Sequence, residues 1–407
     1  MTKQKKSSVK SKINTGKVLR FAHPFFTNVP PAKRKNIPGV GNRMKAFVAT
    51  KLEMIPPPLR DPTMLLAEII GQQGVTAIET TKTIIFHAVG DTGQPVGTMQ
   101  EFVAEAMALD YNPDHPEKSP VFFLHLGDVD YYDNTDNGYQ AQFYVPYKKY
   151  PGKIIAIPGN HDGELFKYDG TPTGQKNTLD AFQRNFCQPK PGIPPGAGTI
   201  YREMVSQPAV YWYLNAPFVD IVALYSNVGE SQGFISGDAA GGQQKTWLTK
   251  TLTTIKNSRS KGTRKALLLV VHHPPFSQGG HTSSDLMLAD IDDSCKTANI
   301  MPDAVLAAHS HDYQRYTRYF PFGGKTMEIP YYVAGGGGRG LSPHVTSANG
   351  ARIGDHTFDS SLRGYGYLTI TVTSTQLSVF FTEVDASGNK VPFDKKIVVD
   401  LATNKIV

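Results

Sequence analysis

The hydrophobic pattern of the chain alternates between short, continuous apolar runs and segments with an apolar residue at every third or fourth position. The continuous runs predict strands that are buried on both faces, and the second pattern predicts amphipathic helices. A helix is predicted to begin at Asp61-Pro62, since an aspartate can cap a helix and a proline fits its first turn. From residue 81 to residue 159 the predicted order is strand, helix, strand and strand, over TKTIIFHAVG, TMQEFVAEAMALDY, PVFFLHLG and KIIAIPG.

The same alternation resumes after residue 208, and the last third of the chain reads as one strand after another. A strand, a helix and two strands are predicted over FVDIVALYSN, QQKTWLTKTLTTIKN, KALLLVVHH and DAVLAAHSH. Further strands follow in IPYYVAGGGG, GYGYLTITVT, QLSVFFTEVD and KKIVVDL. The predicted fold class is α/β with an α+β edge, in which two packed, mainly mixed β-sheets are flanked by helices.

Two segments interrupt this pattern. Residues 1–60 are rich in Lys, Pro and Gly and show no sustained periodicity, which predicts an N-terminal extension in front of one domain at residues 61–407. Residues 163–208 form a Gly-, Pro- and Thr-rich stretch around one short predicted helix, NTLDAFQRNF. We expect this stretch to be a loop-rich insertion beside the functional site.

Charge is unevenly distributed along the chain. The net charge is +7, but residues 1–60 hold 14 basic and 1 acidic side chains, whereas the rest holds 28 basic and 34 acidic ones. The basic arm either contacts an anionic partner or is a solvated terminus. The longest apolar run, Ala266–Val271, is far shorter than the ~18 residues of a membrane span, and no apolar segment of a signal peptide follows the basic start. These features predict a chain without a membrane span and a cytoplasmic location.

Cysteine is too rare to form a disulfide framework or a thiolate metal site. The chain contains two cysteines, Cys187 and Cys295. They are either two free thiols or one disulfide.

Polar side chains with metal-binding chemistry follow five of the predicted strands. Because open α/β sheets place their sites at the carboxyl ends of the strands, these side chains are expected to meet. Each alone is weak evidence, but an ordered set of oxygen and imidazole ligands predicts a metal centre. The set comprises Asp91; Asp128 and Tyr131; Asn160 and His161; His272 and His273; and His309 and His311.

The order of these motifs resembles the calcineurin-like metallophosphoesterase superfamily over about Thr83 to Asp400. Within it the chain looks most like the purple acid phosphatases, whose Gly-Asp-x-Gly and Gly-Asp-x-x-Tyr motifs match GDTG and GDVDY. GNHD, HHPPFS and AHSH match the later motifs, and QQKTWL matches the helix before HHPPFS. Two departures are visible: Ala308 replaces the usual glycine before His-x-His, and Gly93 stands where most of the superfamily has a metal-binding histidine.

The resemblance implies a metallophosphoesterase β-sandwich with two metal ions bridged by Asp128. The first ion would also be bound by Asp91, Tyr131 and His311, and the second by Asn160, His272 and His309. A phenolate with two carboxylates favours a trivalent ion, Fe(III), whereas an amide and two imidazoles suit divalent Fe, Zn or Mn. Tyr131 would then supply the ligand that Gly93 cannot.

The resemblance also implies an activity and its catalytic residues. The expected function is an acid phosphatase that hydrolyses small phosphomonoesters through a metal-bridging hydroxide. His161 would stabilise the phosphoryl group or protonate the leaving oxygen, Asp162 would orient its imidazole, and His281 is a candidate outer histidine. The alternatives are a phosphodiesterase or nucleotidase on the same scaffold, or an inactive metal-binding module. Since related enzymes are commonly exported, an extracytoplasmic location is the alternative to a cytoplasmic one.

Two further features have two interpretations each. The run AGGGGRG, residues 334–340, either presents backbone N–H groups to a phosphate or forms a turn near the site. Tyr313 and Arg315 either line the substrate pocket or brace the end of a strand.

Overall fold

The computed structural model describes residues 55–94, 97–165, 171–226, 233–236, 242–262, 264–342 and 348–407. Most of the predicted N-terminal extension, residues 1–60, lies outside these ranges. The domain division at residue 60 and the role of the basic arm therefore stay predictions.

The described residues contain seventeen strands and six α-helices. In chain order the strands are β1 (Thr63–Leu65), β2 (Thr83–Val89), β3 (Phe122–His125), β4 (Lys153–Ala156), β5 (Trp212–Asn215), β6 (Val219–Ala223), β7 (Ala266–Val270), β8 (Ala304–Ala307), β9 (Tyr313–Phe322), β10 (Lys325–Ala334), β11 (Arg352–Ile353), β12 (His356–Leu362), β13 (Tyr365–Thr373), β14 (Gln376–Val384), β15 (Lys390–Pro392), β16 (Ile397–Asp400) and β17 (Lys405–Ile406). The helices are α1 (Leu66–Thr81), α2 (Met99–Ala108), α3 (Asp136–Tyr139), α4 (Asp180–Phe186), α5 (Gly242–Arg259) and α6 (Asp285–Thr297). A π-helical turn (Gln140–Tyr144) follows α3, and short 3₁₀ turns occupy Pro116–Lys118, His161–Gly163 and Pro195–Ala197.

These strands form two mixed sheets, so the predicted fold class is confirmed. One sheet has the order β1-β5-β6-β7-β8-β10-β9-β12-β11. The other has the order β17-β16-β14-β13-β2-β3-β4, with β15 paired to β14. Parallel pairing unites β2, β3 and β4 in one sheet and β6, β7 and β8 in the other.

The main core lies between the two sheets, and the strands are buried on both faces as their sequences predict. Along β7, Leu268 and Val270 pack into the core between the sheets, whereas Leu267 and Leu269 pack on the opposite face with residues of α5 and α6. All four side chains are fully buried. Burying one such leucine or valine side chain contributes about 1.5–3 kcal/mol to folding. The parallel strands are therefore firmly packed, and they fix the starting points of the loops that follow them.

Three features of the fold differ from the sequence-based predictions. The predicted helix start at Asp61 is wrong: residues Thr63–Leu65 pair with β5, and the helix begins at Leu66. The carboxylate of Glu68 then accepts a hydrogen bond from the backbone N–H of Leu65 at 3.2 Å and so caps the helix. Strands β9 and β12 and helix α6 lie outside the predicted elements.

Both cysteines, Cys187 and Cys295, are buried free thiols. None of the helices in the described ranges has both the length and the apolar character needed to cross a membrane.

The two sheets meet where the parallel strands end. The backbone N–H of Gly90, just after β2, donates to the carbonyl oxygen of Ala334 at the end of β10, at 2.9 Å. The N–H of Ala308, just after β8, donates to the carbonyl oxygen of His272 at 2.9 Å. The first bond joins loops of the two sheets, and the second joins two neighbouring loops of one sheet, so that the loops meet at the place of the site.

Candidate metal centre

One group of predicted ligands converges around the hydroxyl of Tyr131. This hydroxyl donates to Oδ1 of Asp91 at 3.0 Å and lies 3.1 Å from Nε2 of His311. Nε2 of His311 is 3.5 Å from the same Asp91 oxygen. A phenol, a carboxylate and an imidazole thus present their ligand atoms to one small volume.

A second group converges around His272. Its Nε2 lies 3.3 Å from Oδ1 of Asn160 and 3.3 Å from Oδ2 of Asp128. Ligand atoms of Asp128, His272 and His309 all lie within 4.8 Å of one another. The same His272 nitrogen is 3.9 Å from Oδ1 of Asp91, so the two groups are neighbours. The structure therefore brings together all seven residues that the sequence analysis assigned to metal binding.

The chemistry of these residues fits a cation. Nε2 of His309 is buried and has no hydrogen-bond partner among the described residues. Burial, reinforced by the neighbouring His273, holds the pKa of His309 well below its ordinary value, so the imidazole is in the neutral form that binds metals. Asp91 and Asp128 are buried carboxylates that both lie near Nε2 of His272. Burial, reinforced by Asp128, raises the pKa of Asp91, so a nearby cation would favour the ionised form of both.

The backbone is strained at three of the predicted ligands. Asp91, Asp128 and His309 have φ angles of 54°, 57° and 69°, in the left-handed region that costs a non-glycine residue about 1–2 kcal/mol. The conformation at His309 is fixed by its N–H, which donates to Oδ2 of Asp91 at 2.6 Å. Strain of this kind persists where the surrounding fold imposes it, and it is concentrated at functional sites.

His161 lies beside this centre in the 3₁₀ turn that follows β4. Its backbone N–H donates to Oδ1 of Asp128 at 2.9 Å, and its ring is 4.3 Å from the ring of Tyr131. Nδ1 of the imidazole lies 2.9 Å from Oε1 of Glu164, whose side chain is fully buried. The imidazole is thus held in place from its Nδ1 side by a carboxylate.

The orienting role predicted for Asp162 is wrong, and Glu164 has that position. The Asp162 carboxylate accepts the backbone N–H groups of Gly159 at 2.8 Å and Asp128 at 2.9 Å. Its side chain points toward the junction of the two loops because it must satisfy these buried donors. Asp162 therefore fixes the loops, while the carboxylate three residues after His161 contacts the imidazole. The i, i+3 spacing in HDGE is the sequence signal for this contact.

The insertion at residues 163–208 supports this turn. The side-chain amide of Gln175 donates to the carbonyl oxygens of Glu164 at 2.8 Å and Asp162 at 2.9 Å. The hydroxyl of Thr173 also donates to the Glu164 carbonyl oxygen, at 2.8 Å. The insertion thus fixes the backbone that carries His161.

His281 also lies beside the centre. Its ring is 4.2 Å from the ring of His309 and 5.8 Å from that of His311. Burial lowers its pKa. The structure places His281 beside the predicted ligands, and a catalytic role for it stays a prediction.

A cavity of about 420 Å³ opens above the centre. Its lining includes the predicted ligands Asn160, His309 and His311 together with His161 and His281. The cavity is within the range of small-molecule sites, so a substrate can reach the ligand atoms directly.

Tyr132 and Arg339 also line the cavity, and the sequence analysis assigned neither to the site. The glycine run before Arg339 packs against the first ligand loop, where the N–H of Gly337 donates to the carbonyl oxygen of Gly90 at 3.1 Å. This contact favours the turn interpretation of AGGGGRG. The glycines are followed by Arg339, whose side chain lies at the site. The sequence analysis considered only the backbone N–H groups of this run and therefore did not identify the arginine.

Tyr313 and Arg315 brace the end of a strand. The hydroxyl of Tyr313 donates to Oδ2 of Asp394 at 2.8 Å, and Nε of Arg315 donates to the same oxygen at 2.7 Å. The bracing interpretation is therefore the one that the structure favours.

Comparison with known proteins gives one family match. The model of the calcineurin-like phosphoesterase family matches residues 85–313. The chain resembles GAP50, the anchor in the inner membrane complex of Plasmodium, at 11% identity and a TM-score of 0.45, over 77% of this chain and 90% of that one. It resembles PhoD at 14% identity and a TM-score of 0.47, over 86% of this chain and 72% of that one. It resembles vacuolar protein sorting 29 from Cryptosporidium parvum at 12% identity and a TM-score of 0.32, over 77% of this chain and 97% of that one. No curated protein sequence matches the chain significantly.

Proposed function

The chain belongs to the calcineurin-like phosphoesterase family, and we propose that within this family it is a binuclear acid phosphatase that hydrolyses phosphomonoesters. The observation that carries this proposal is the position of the Tyr131 hydroxyl, 3.0 Å from Asp91 and 3.1 Å from His311. A phenol among these ligands corresponds to the purple acid phosphatase pattern that the motifs resemble.

The donor sets suggest two unlike metal ions. Asp91, Tyr131 and His311, with Asp128, form a hard and anionic set that suits Fe(III). Asn160, His272 and His309, with the same Asp128, suit a divalent Fe, Zn or Mn ion. Held by these residues, two such ions would supply an acidified water and would withdraw charge from the phosphoryl group.

The protein's own groups supply proton transfer and orientation. Since Nδ1 of His161 faces Glu164, Nε2 is the nitrogen from which His161 would protonate the leaving oxygen. Burial opposes protonation of His161, but the carboxylates of Glu164 and Asp128 raise its pKa to about 9. These carboxylates therefore favour the protonated imidazole that an acid catalyst requires. His281 lines the same cavity, where it can contact substrate oxygens.

The test is hydrolysis of 4-nitrophenyl phosphate beside bis(4-nitrophenyl) phosphate, by metal-loaded protein with and without a chelator. We expect the monoester to be hydrolysed faster, with an acidic optimum, and both rates to be lost with the chelator. Preference for the diester would instead favour the phosphodiesterase or nucleotidase alternative. If the metal-loaded protein hydrolyses neither ester, the phosphatase proposal fails and the inactive metal-binding module remains.

A matched pair of histidine variants distinguishes the site from a contaminating enzyme. His309→Ala removes a predicted ligand, and His115→Ala removes an exposed histidine that pairs with Glu117 outside the cavity. We expect the first variant to lose at least about 100-fold in kcat/KM and the second to match the wild type. Equal activity of both variants would mean that the hydrolysis arises elsewhere.

A further inference from the structure

Arg339 is a cation at the cavity wall with only neutral contacts. Its guanidinium carbon lies 4.5 Å from the ring centre of Tyr131 and 5.1 Å from that of Tyr132. Its amino groups donate to the hydroxyl of Tyr132 at 3.2 Å and, more weakly, to Oε1 of Gln94 at 3.4 Å. In the part of the chain that the structure describes, Arg339 forms no ion pair with a carboxylate.

The fold holds the backbone of this arginine firmly. The N–H of Arg339 donates to the carbonyl oxygen of Asp91 at 3.0 Å. The preceding Gly338 has a φ of 143°, and a Cβ atom there would lie 2.5 Å from Cβ of Gln100. Glycine is thus required for the chain to pass α2 at this point. The glycine run therefore delivers Arg339 to a fixed position beside the predicted metal ligands.

The guanidinium lies to one side of the ligand atoms. The Tyr131 hydroxyl points at Asp91 and His311, whereas Arg339 covers the ring of Tyr131 and contacts Tyr132. From this position the cation can contact a group of the substrate beside the one that the metal ligands would surround.

The cavity has room for such a second group. Its volume is about 420 Å³, within the range of sites for small molecules. A single phosphoryl group fills only a fraction of this space. Among the described residues that line the cavity, Arg339 is the only arginine or lysine. A negatively charged group elsewhere on the substrate would therefore be expected to pair with Arg339.

We propose that Arg339 binds a second phosphate of the substrate, so that the site prefers phosphate esters with two phosphates over esters with an uncharged remainder. This inference rests on the proposed phosphatase function. The planar guanidinium has five N–H donors that can match two oxygens of a phosphate, and its bonds to Tyr132 and Gln94 use two of them.

The kinetic test compares two esters of one alcohol, propane-1,3-diol monophosphate and propane-1,3-diol bisphosphate. We expect the wild type to have a kcat/KM at least about 10-fold higher for the bisphosphate. Arg339→Gln should lose about 10- to 100-fold on the bisphosphate and less than about threefold on the monophosphate, mainly through KM. Arg339→Lys should recover part of this loss because it keeps the charge without the paired donors.

A binding test is independent of turnover. Isothermal titration of the metal-loaded protein would use propane-1,3-bisphosphonate and propylphosphonate, which cannot be hydrolysed. Arg339→Gln should weaken binding of the bisphosphonate about 10-fold or more and leave that of the monophosphonate nearly unchanged.

Arg352→Gln is the matched control. Arg352 also stacks on a tyrosine, with its guanidinium carbon 4.4 Å from the ring centre of Tyr319, but it lies outside the cavity. This variant should behave as the wild type in both tests.

The outcomes separate this inference from the proposed function. The inference would be overturned if Arg339→Gln lowered kcat/KM equally for both esters and lowered the affinity equally for both phosphonates. The arginine would then act on the phosphate that both compounds share, or on the fold. Wild-type protein that hydrolyses neither ester but binds the bisphosphonate through Arg339 would refute the phosphatase function and keep the anion site. Equal binding of both phosphonates by the wild type would refute the anion site itself.

Discussion

The ring of Tyr131 fills the space beside Gly93. A Cβ atom at position 93 would lie 2.8 Å from Cδ2 of Tyr131 and 2.7 Å from the carbonyl oxygen of Val129. No side chain larger than hydrogen fits between these atoms without a shift of the loop. Gly93 therefore makes room for the ring of Tyr131, which agrees with the proposal that Tyr131 supplies the ligand that Gly93 cannot.

This packing predicts that Gly93→Ala destabilises the fold. Overpacking of a tight site typically costs about 1–3 kcal/mol, and here one of the two atoms in the way belongs to the backbone. We expect the free energy of unfolding, measured by urea denaturation, to fall by that amount. Gly192→Ala is the control, because a Cβ atom at Gly192 meets no heavy atom within 4 Å. Equal stability of the two variants would contradict the packing argument.

Tyr131 is also expected to determine the colour of the iron-loaded protein. Burial raises the pKa of Tyr131 well above its ordinary value, so a bound cation is needed to ionise the phenol. Loading with Fe(III) should therefore produce a visible phenolate charge-transfer band that Tyr131→Phe abolishes. Tyr132→Phe alters the neighbouring ring, whose centre is 5.8 Å away, and should keep the band. A band that persists in Tyr131→Phe would rule out this ligand.

The positions of the predicted metal ligands could be inferred from the sequence because these residues follow the ends of strands. Continuous apolar runs identified β2, β3, β4, β7 and β8, and parallel strands bring their carboxyl ends to a common edge. The residues just after them, such as Asp91, Asp128 and His309, could then be placed together without a structure. The assignment of the predicted ligands to two metal ions came from the order of the motifs, which resembles that of the purple acid phosphatases.

The residues that the sequence did not reveal depend on tertiary contacts. Helix α6 has buried acids on its packed face, and these break its apolar periodicity. Asp292 is paired with Arg318 at 2.7 Å and Asp290 with Lys245 at 3.2 Å, which makes their burial possible. Arg339 likewise reaches the cavity only because the glycine run packs on another loop. Contacts between segments that are distant in the sequence produce no local periodic pattern of residues, so the sequence alone does not predict them.

Acid tolerance is expected to depend on Asp110, which lies far from the predicted ligands. Its carboxylate is 3.0 Å from Nε2 of His87 and 2.7 Å from Nζ of Lys390, and it accepts the hydroxyl of Tyr367 at 2.6 Å. Burial alone would raise the pKa of Asp110, but the hydrogen bonds from His87, Lys390 and Tyr367 lower it to about 2. The folded pKa is below the unfolded value of about 3.9, so this stabilisation is present above pH 4 and is lost as the pH falls through 2.

Asp110→Asn should therefore reduce the free energy of unfolding by about 1–2 kcal/mol at pH 7, and the difference should disappear near pH 2. Urea denaturation at a series of pH values measures this. Asp114→Asn, in the same loop but exposed, is the control. A difference between Asp110→Asn and the wild type that does not change with pH would show that the carboxylate charge is not its cause.

Glu164→Gln tests whether the buried carboxylate beside His161 sets the behaviour of the proposed acid. The change removes a negative charge 2.9 Å from Nδ1 of His161 and keeps the size of the side chain. Because Glu164 raises the pKa of His161 against the effect of burial, its neutralisation must lower that pKa. The basic limb of the kcat profile should move to lower pH, and kcat on the alkaline side should fall about 10- to 100-fold with little change in KM. Glu105→Gln, which removes an exposed ion pair with Lys149, should leave the profile unchanged. A Glu164→Gln profile that coincides with the wild type would assign the acid to a group other than His161.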